Sequence, residues 1–139
     1  MSIEELEHTA DLRFRVGAPT LPELFAEATR ALMLVMYGET SGPVTEARRV
    51  AVTAGDREAL LRDYLSEVLW LAETGNLVFS AAELAVAEKP EPSVEGTLRG
   101  TPFDPARHAG GAGVKGISYC DLAIVEADEG LSLEVVFDV

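Results

Sequence analysis

The sequence predicts an α+β fold in which mostly antiparallel sheets pack against two amphipathic helices. Three observations predict it. Two stretches of helical apolar spacing occupy the first half of the chain, each directly preceded by a strand-like segment. The second half is a succession of short strand candidates with no helix between them. Pro, Gly and charged clusters separate those candidates as turns.

Size and composition bound the reading. A chain of 139 residues is expected to form one domain, residues 1–139, that buries roughly two-thirds of its unfolded surface. It is 47% hydrophobic with a mean hydropathy of +0.13, yet no stretch approaches the ~20 apolar residues of a membrane span. MSIEELEH carries neither a basic region nor an apolar core of a signal, so a cytoplasmic location and no membrane contact are expected. The single cysteine, Cys120, cannot close an internal disulfide. Eleven basic against twenty-four acidic residues leave a net charge of −13, which repels phosphate backbones. Direct nucleic-acid binding is not expected; a basic protein partner or cations suit this charge, unless it serves solubility alone.

Leu12, Phe14 and Val16 alternate with Arg13 and Arg15, the period-two pattern of a half-buried strand entered at Asp11. In PTLPELFAEATRALMLVMYGE, residues Leu21, Leu24, Phe25, Ala28, Leu32, Val35 and Met36 fall on one helical face. Thr20 and Glu23 have the spacing of a capping box, Pro22 is tolerated in the first turn, and Gly38 supplies a left-handed stop. ARRVAVTAG reads as a second strand. Asp56 then caps REALLRDYLSEVLWLAET, which ends at Gly75 and carries the stripe Leu60, Leu61, Tyr64, Leu65, Val68, Leu69 and Leu71; this width predicts the more enclosed helix of the two. NLVFS, ELAVAE, SVEGTLRG, VKGISY, LAIVE and LSLEVVFDV follow as six strands, with ADEG as a hairpin turn whose Gly130 is free to take positive φ.

Residues 12 to 37 and 49 to 74 each give a strand followed by an amphipathic helix, which predicts a strand-helix-strand-strand unit occurring twice, the second copy nested in the first. The terminal hairpin, residues 114 to 138, then returns to the strand at 12 to 17. Antiparallel pairing brings Asp138 to Asp11. Asp11, Asp138 and the carboxylate of Val139 together form a set of oxygen donors that suits a hard divalent cation and would otherwise repel itself. The alternative is that Asp11 makes a local turn bond, Asp138 is solvated and the C-terminus frays.

Four other residues carry more than one reading each. His8 is an imidazole ligand or neighbour of that site, or a hydrogen-bonded structural residue. Cys120 is a ligand, a reactive thiol or a small buried filler. His108 lies in a long Pro/Gly-rich loop, TPFDPARHAGGAG, where it contacts a partner or ligand or has no role. Glu67 in the second helix is a buried polar contact or the helix's wet edge. GGAG lacks the lysine and hydroxyl of a phosphate loop and does not lead from a strand into a helix, so nucleotide binding through it is not expected.

EHTADLRFRV, DYLSEVLWLAETGNLVFS, GTPFDPARH, VKGISY and LEVVFDV occur in order across nearly the whole chain. With them the chain resembles the archease family, small proteins that assist RtcB-type RNA ligases. The resemblance implies the nested strand-helix-strand-strand fold and a divalent cation, calcium before magnesium or manganese, at Asp11, Asp138 and Val139. It implies a non-enzymatic activator that promotes guanylylation of a ligase that uses GTP and manganese in tRNA splicing and RNA repair. Lys115 and His108 match family positions. Cys120 stands where the family usually has histidine, and a thiol is too soft for a calcium or magnesium site.

Two other classes of function differ from this one in what they require. A stand-alone metal-dependent hydrolase using Asp11, Asp138 and His8 needs an activated nucleophile pair that the sequence does not display. A ligand-binding or chaperone-like module needs only an apolar pocket.

Overall fold

The structure is a computed structural model that describes residues 2–6, 11–118 and 123–139. In chain order the elements are β1 (Ser2–Leu6), β2 (Leu12–Ala18), α1 (Leu21–Tyr37), β3 (Glu46–Thr53), α2 (Arg57–Gly75), β4 (Leu77–Ala87), β5 (Ser93–Pro102), β6 (Gly116–Ile117), β7 (Ile124–Ala127) and β8 (Gly130–Asp138).

The caps of α1 form as the sequence predicts. Thr20 stays extended and its hydroxyl oxygen accepts the Glu23 N–H at 3.4 Å while the same hydroxyl donates to Glu23 Oε1 at 2.9 Å. Gly38 takes φ 80° and returns its N–H to Leu34 O. Replacing Thr20 by Ala should lower stability by about 1 kcal/mol, read as a shift in urea midpoint at constant slope. Asp56 caps α2 through the Ala59 N–H. The left-handed residue after α2 is Asn76, at φ 55°, and Gly75 is still helical; asparagine tolerates this conformation.

All strand pairs are antiparallel. One sheet has β8 at its centre, with β2 and then β1 on one side and β6 and β7 along the other; the second has the order β3-β5-β4. The nested duplication is visible in this topology. β2-α1-β7-β8 yields the spatial order β2-β8-β7, and β3-α2-β4-β5 yields β3-β5-β4, so each unit places its last strand between its first and its third element. Each helix packs against strands of both sheets, and the buried side chains of both units form a continuous cluster. Phe25 and Tyr64 join the helices with ring centroids 5.5 Å apart. The Thr29 hydroxyl donates to Phe25 O at 2.8 Å, which leaves its oxygen to accept from the Tyr64 hydroxyl at 2.7 Å. Burial pushes the Tyr64 phenol well above its ordinary range.

Several expectations are corrected. NLVFS and ELAVAE are not two strands but one, β4, which carries a register shift between Phe79 and Ala81 opposite β5. The bulge hides the continuity, because one extra residue, Ser80, breaks the alternation. β1 is an additional strand whose acidic composition, SIEEL, gives little apolar periodicity. VKGISY contributes only Gly116–Ile117 to β6 among the described residues. The more enclosed helix is α1, which buries Glu27 and Thr29 besides its apolar stripe, whereas α2 buries a stripe ending at Ala72 and leaves its other face in solvent. The ADEG turn forms as expected, with Ala127 opposite Gly130 and φ 133° at the glycine. No described helix is long and apolar enough to cross a membrane.

Candidate functional site

The β2–β8 ladder pairs Leu12 with Phe137, and β6 pairs Gly116 with Asp138. Asp11 therefore enters the sheet one residue before Leu12 at the end where Asp138 leaves it, and β8 is flanked on both sides there. Register follows from patterning: Phe14 and Val16 of β2 and Leu133, Val135 and Phe137 of β8 pack on the core side, and a slip of one residue would turn all of them into water. Asp11 is half-buried; Asp138 and Val139 are exposed.

Two main-chain features shape this end. The Lys115 N–H donates to Asp138 O at 2.7 Å, and Ser118 N–H donates to Val136 O at 2.9 Å. Gly116 puts no side chain over the Asp138 carboxylate, where a Cβ would stand 3.8 Å from Oδ2. That flank is open to a ligand. Gly116 was not singled out from sequence, although a glycine within a strand candidate is the signal of close approach. Both arginines of β2 bind Glu134: Arg13 Nη1 donates to Glu134 Oε2 at 3.1 Å, and Arg15 donates to Glu134 Oε1 at 3.2 Å and Glu4 Oε2 at 3.4 Å.

Carboxylate oxygens are the donors that hard cations take, so Asp11 and Asp138 fit calcium or magnesium in kind. Among the described residues no group of three or more His, Cys, Asp and Glu side chains converges to hold a metal ion. A cation at this end would therefore draw its third protein donor from Val139 or from residues outside the description. His8 and Cys120 lie outside the described residues.

His108 is placed firmly, and not as a partner contact. Only 1% of it is exposed. The Asp104 N–H donates to Nδ1 at 2.9 Å, so the proton sits on Nε2, which donates to Ser41 O at 2.7 Å. Tyr37 and Phe103 pack around the ring. The expectation of a contact with a partner or ligand is thus corrected: with both nitrogens used, the imidazole closes the loop internally. Asp104 further accepts the Ala106 N–H on its side chain and the Arg107 and His108 N–H groups on its carbonyl. The loop then crosses the end of α1, where Ala112 N–H donates to Val35 O, and delivers Lys115 to Asp138. Its order comes from these bonds. Glu67 is half-buried on the rim of α2.

Comparison with known proteins places the chain. The model of the Archease protein family (MTH1598/TM1083) matches residues 3–139. The protein archease of Methanopyrus kandleri is 34% identical over 99% of both chains. That of Methanosarcina acetivorans is 35% identical over 98% of this chain and 94% of its own. The solution structure of Methanobacterium thermoautotrophicum protein 1598 superposes with a TM-score of 0.83 at 28% identity, over 99% of this chain and 98% of that one. The crystal structure of a Thermotoga maritima archease, described as a possible chaperone, shares the fold with a TM-score of 0.66 at 20% identity over 96% of this chain and 94% of that one. Matched along nearly its whole length by that family model, the chain belongs to the archease family.

Proposed function

We propose that this chain is a non-enzymatic activator of an RtcB-type RNA ligase, promoting the ligase's guanylylation in tRNA splicing and RNA repair, with a divalent cation, calcium first, held by Asp11, Asp138 and Val139. The observation that carries the reading is the antiparallel β2–β8 register, which sets Leu12 opposite Phe137 and so draws both aspartates to one end of one sheet. Family membership and the net charge of −13, suited to a cationic partner, support it.

A cation bound there would supply positive charge toward phosphate oxygens in the ligase. The chain's own residues do the holding. The Lys115 N–H fixes the Asp138 main chain, and Gly116 leaves the carboxylate's flank uncovered. Asp11 stands at the entrance to β2, a strand paired along its length with β8, so its position is tied to the packed sheet.

The test is ligation by a purified RtcB-type ligase with excess RNA, GTP and manganese. The wild-type chain should raise turnover. Asp11→Ala, and separately removal of Val139, should abolish the increase while the circular dichroism spectrum stays that of the wild type. Full stimulation by both variants would sink the assignment. Calcium should also raise the melting temperature of the wild type and not of Asp11→Ala, because an ion that binds only the folded state must stabilise it.

A further inference from the structure

Trp70 is the chain's one tryptophan, and 58% of it is exposed. It sits on the face of α2 that points away from the core. Leu65, Val68, Leu69 and Ala72 of the same helix are buried, whereas Trp70's helical neighbours at three and four residues, Ser66, Glu67, Glu73 and Thr74, are exposed or half-buried. A tryptophan left in water forgoes the burial of most of its ~200 Å² of surface, and this residue type is concentrated at the centres of protein interfaces.

The surroundings of the ring are anionic. Glu67 and Glu73 form no ion pair among the described residues. The last turn of α2 holds no basic residue of its own, and Arg48 of β3, whose Nη2 would stand 4.0 Å from a Cβ at Gly75, is paired with Glu46 at 3.6 Å. Glu73 also reaches the end of α1: after burial, its charge is the second cause that raises the Tyr37 phenol. An aromatic face between carboxylates binds guanidinium and ammonium groups, by attraction to the ring and pairing at its edges.

α2 itself packs against strands of both sheets. The two helices meet where Phe25 and Thr29 pack on Tyr64. α2 begins beside β7, where Glu58 Oε2 accepts the Ile124 N–H, and also packs against β6, the strand paired with Asp138. The loop that clamps the end of α1 reaches Asp138 through Lys115.

We propose that Trp70, with Glu67 and Glu73, is a docking surface for an arginine- or lysine-bearing segment of the RNA ligase. The inference rests on the function proposed above. An enzyme that joins RNA ends must itself carry cationic surface to hold phosphates, and the acidic chain complements that surface where RNA is repelled. The face supplies affinity; the carboxylate end supplies activation.

The chain labelled with 5-fluorotryptophan carries a single ¹⁹F resonance. It should shift and broaden on addition of the purified ligase. In calorimetric titrations Trp70→Ala should bind at least tenfold more weakly, and Glu67→Gln with Glu73→Gln should weaken binding at low salt and flatten its salt dependence. Both variants should melt as the wild type does and should restore full ligation when saturating. Asp11→Ala should behave conversely, binding normally without stimulating. An unmoved resonance, or wild-type affinity in both α2 variants beside a wild-type chain that binds and stimulates, overturns the docking face alone. A wild-type chain that neither binds nor stimulates overturns both this inference and the proposed function.

Discussion

His108→Ala should destabilise the protein by on the order of 3 kcal/mol and lower its melting temperature by roughly 10 °C. The substitution removes a fully buried ring from between Tyr37 and Phe103 and strands two main-chain groups, the Asp104 N–H and the Ser41 carbonyl. Each stranded polar group adds about 1 kcal/mol or more to the cavity term. Against a total stability of about 5–15 kcal/mol this is a large fraction. Arg107→Ala is the control. It removes a half-exposed ion pair to Asp104 at 3.8 Å and should change stability by less than about 1 kcal/mol. Thermal unfolding separates the two, and hydrogen exchange locates the effect. The Lys115 amide, bonded to Asp138 O at the far end of the same loop, should exchange faster in His108→Ala. Equal melting temperatures for the two variants would remove the imidazole from its structural role.

Gly100→Ala should cost about 3 kcal/mol or more. A Cβ at Gly100 would lie 2.1 Å from Val78 O and 2.8 Å from Phe79 Cα, and neither atom can yield without moving β4. Val78 and Phe79 are both buried, and the register of β4 against β5 shifts just beyond them. The displaced strand would therefore drag core side chains with it. Gly55→Ala, where nothing lies within 4 Å of the added carbon, should change stability by no more than about 0.5 kcal/mol. Urea titration measures both, and comparable midpoints would show that β4 relaxes without loss.

Much of this architecture was legible locally. Thr20 and Glu23, Asp56, Gly38 and Gly130 act on backbone groups within four residues, so their chemistry can be read in a short window. The period of two in β2 and the apolar stripes of α1 and α2 likewise announce which face is buried. The return of the last strand to the strand at 12 to 17 was also legible from the repeated strand-helix order, and β8 does pair with β2.

Other features have no local signature. The enclosure of α1 exceeds that of α2 because α1 packs more extensively, on β4 of one sheet and β2 of the other, and neighbours of that kind are assembled from distant segments. β4 reads as two strands because Ser80 interrupts the alternation, and only pairing with β5 restores its continuity. His108 reads as a loop residue in a stretch rich in Pro and Gly. It becomes a buried support because Ser41, Tyr37 and Phe103 arrive from elsewhere in the chain. Trp70 stands outside the apolar stripe of α2, and the packing of its neighbours leaves it facing water.

The sequence by itself determined the α+β class, the helix limits and the candidate acids, because hydrophobic periodicity and capping are short-range effects that each segment carries wherever it sits. The tertiary structure decided which histidine is buried, which glycines admit a neighbouring strand and which face of α2 stays open. Burial and close approach are properties of pairs of distant segments, and they exist only once the sheets and helices have packed.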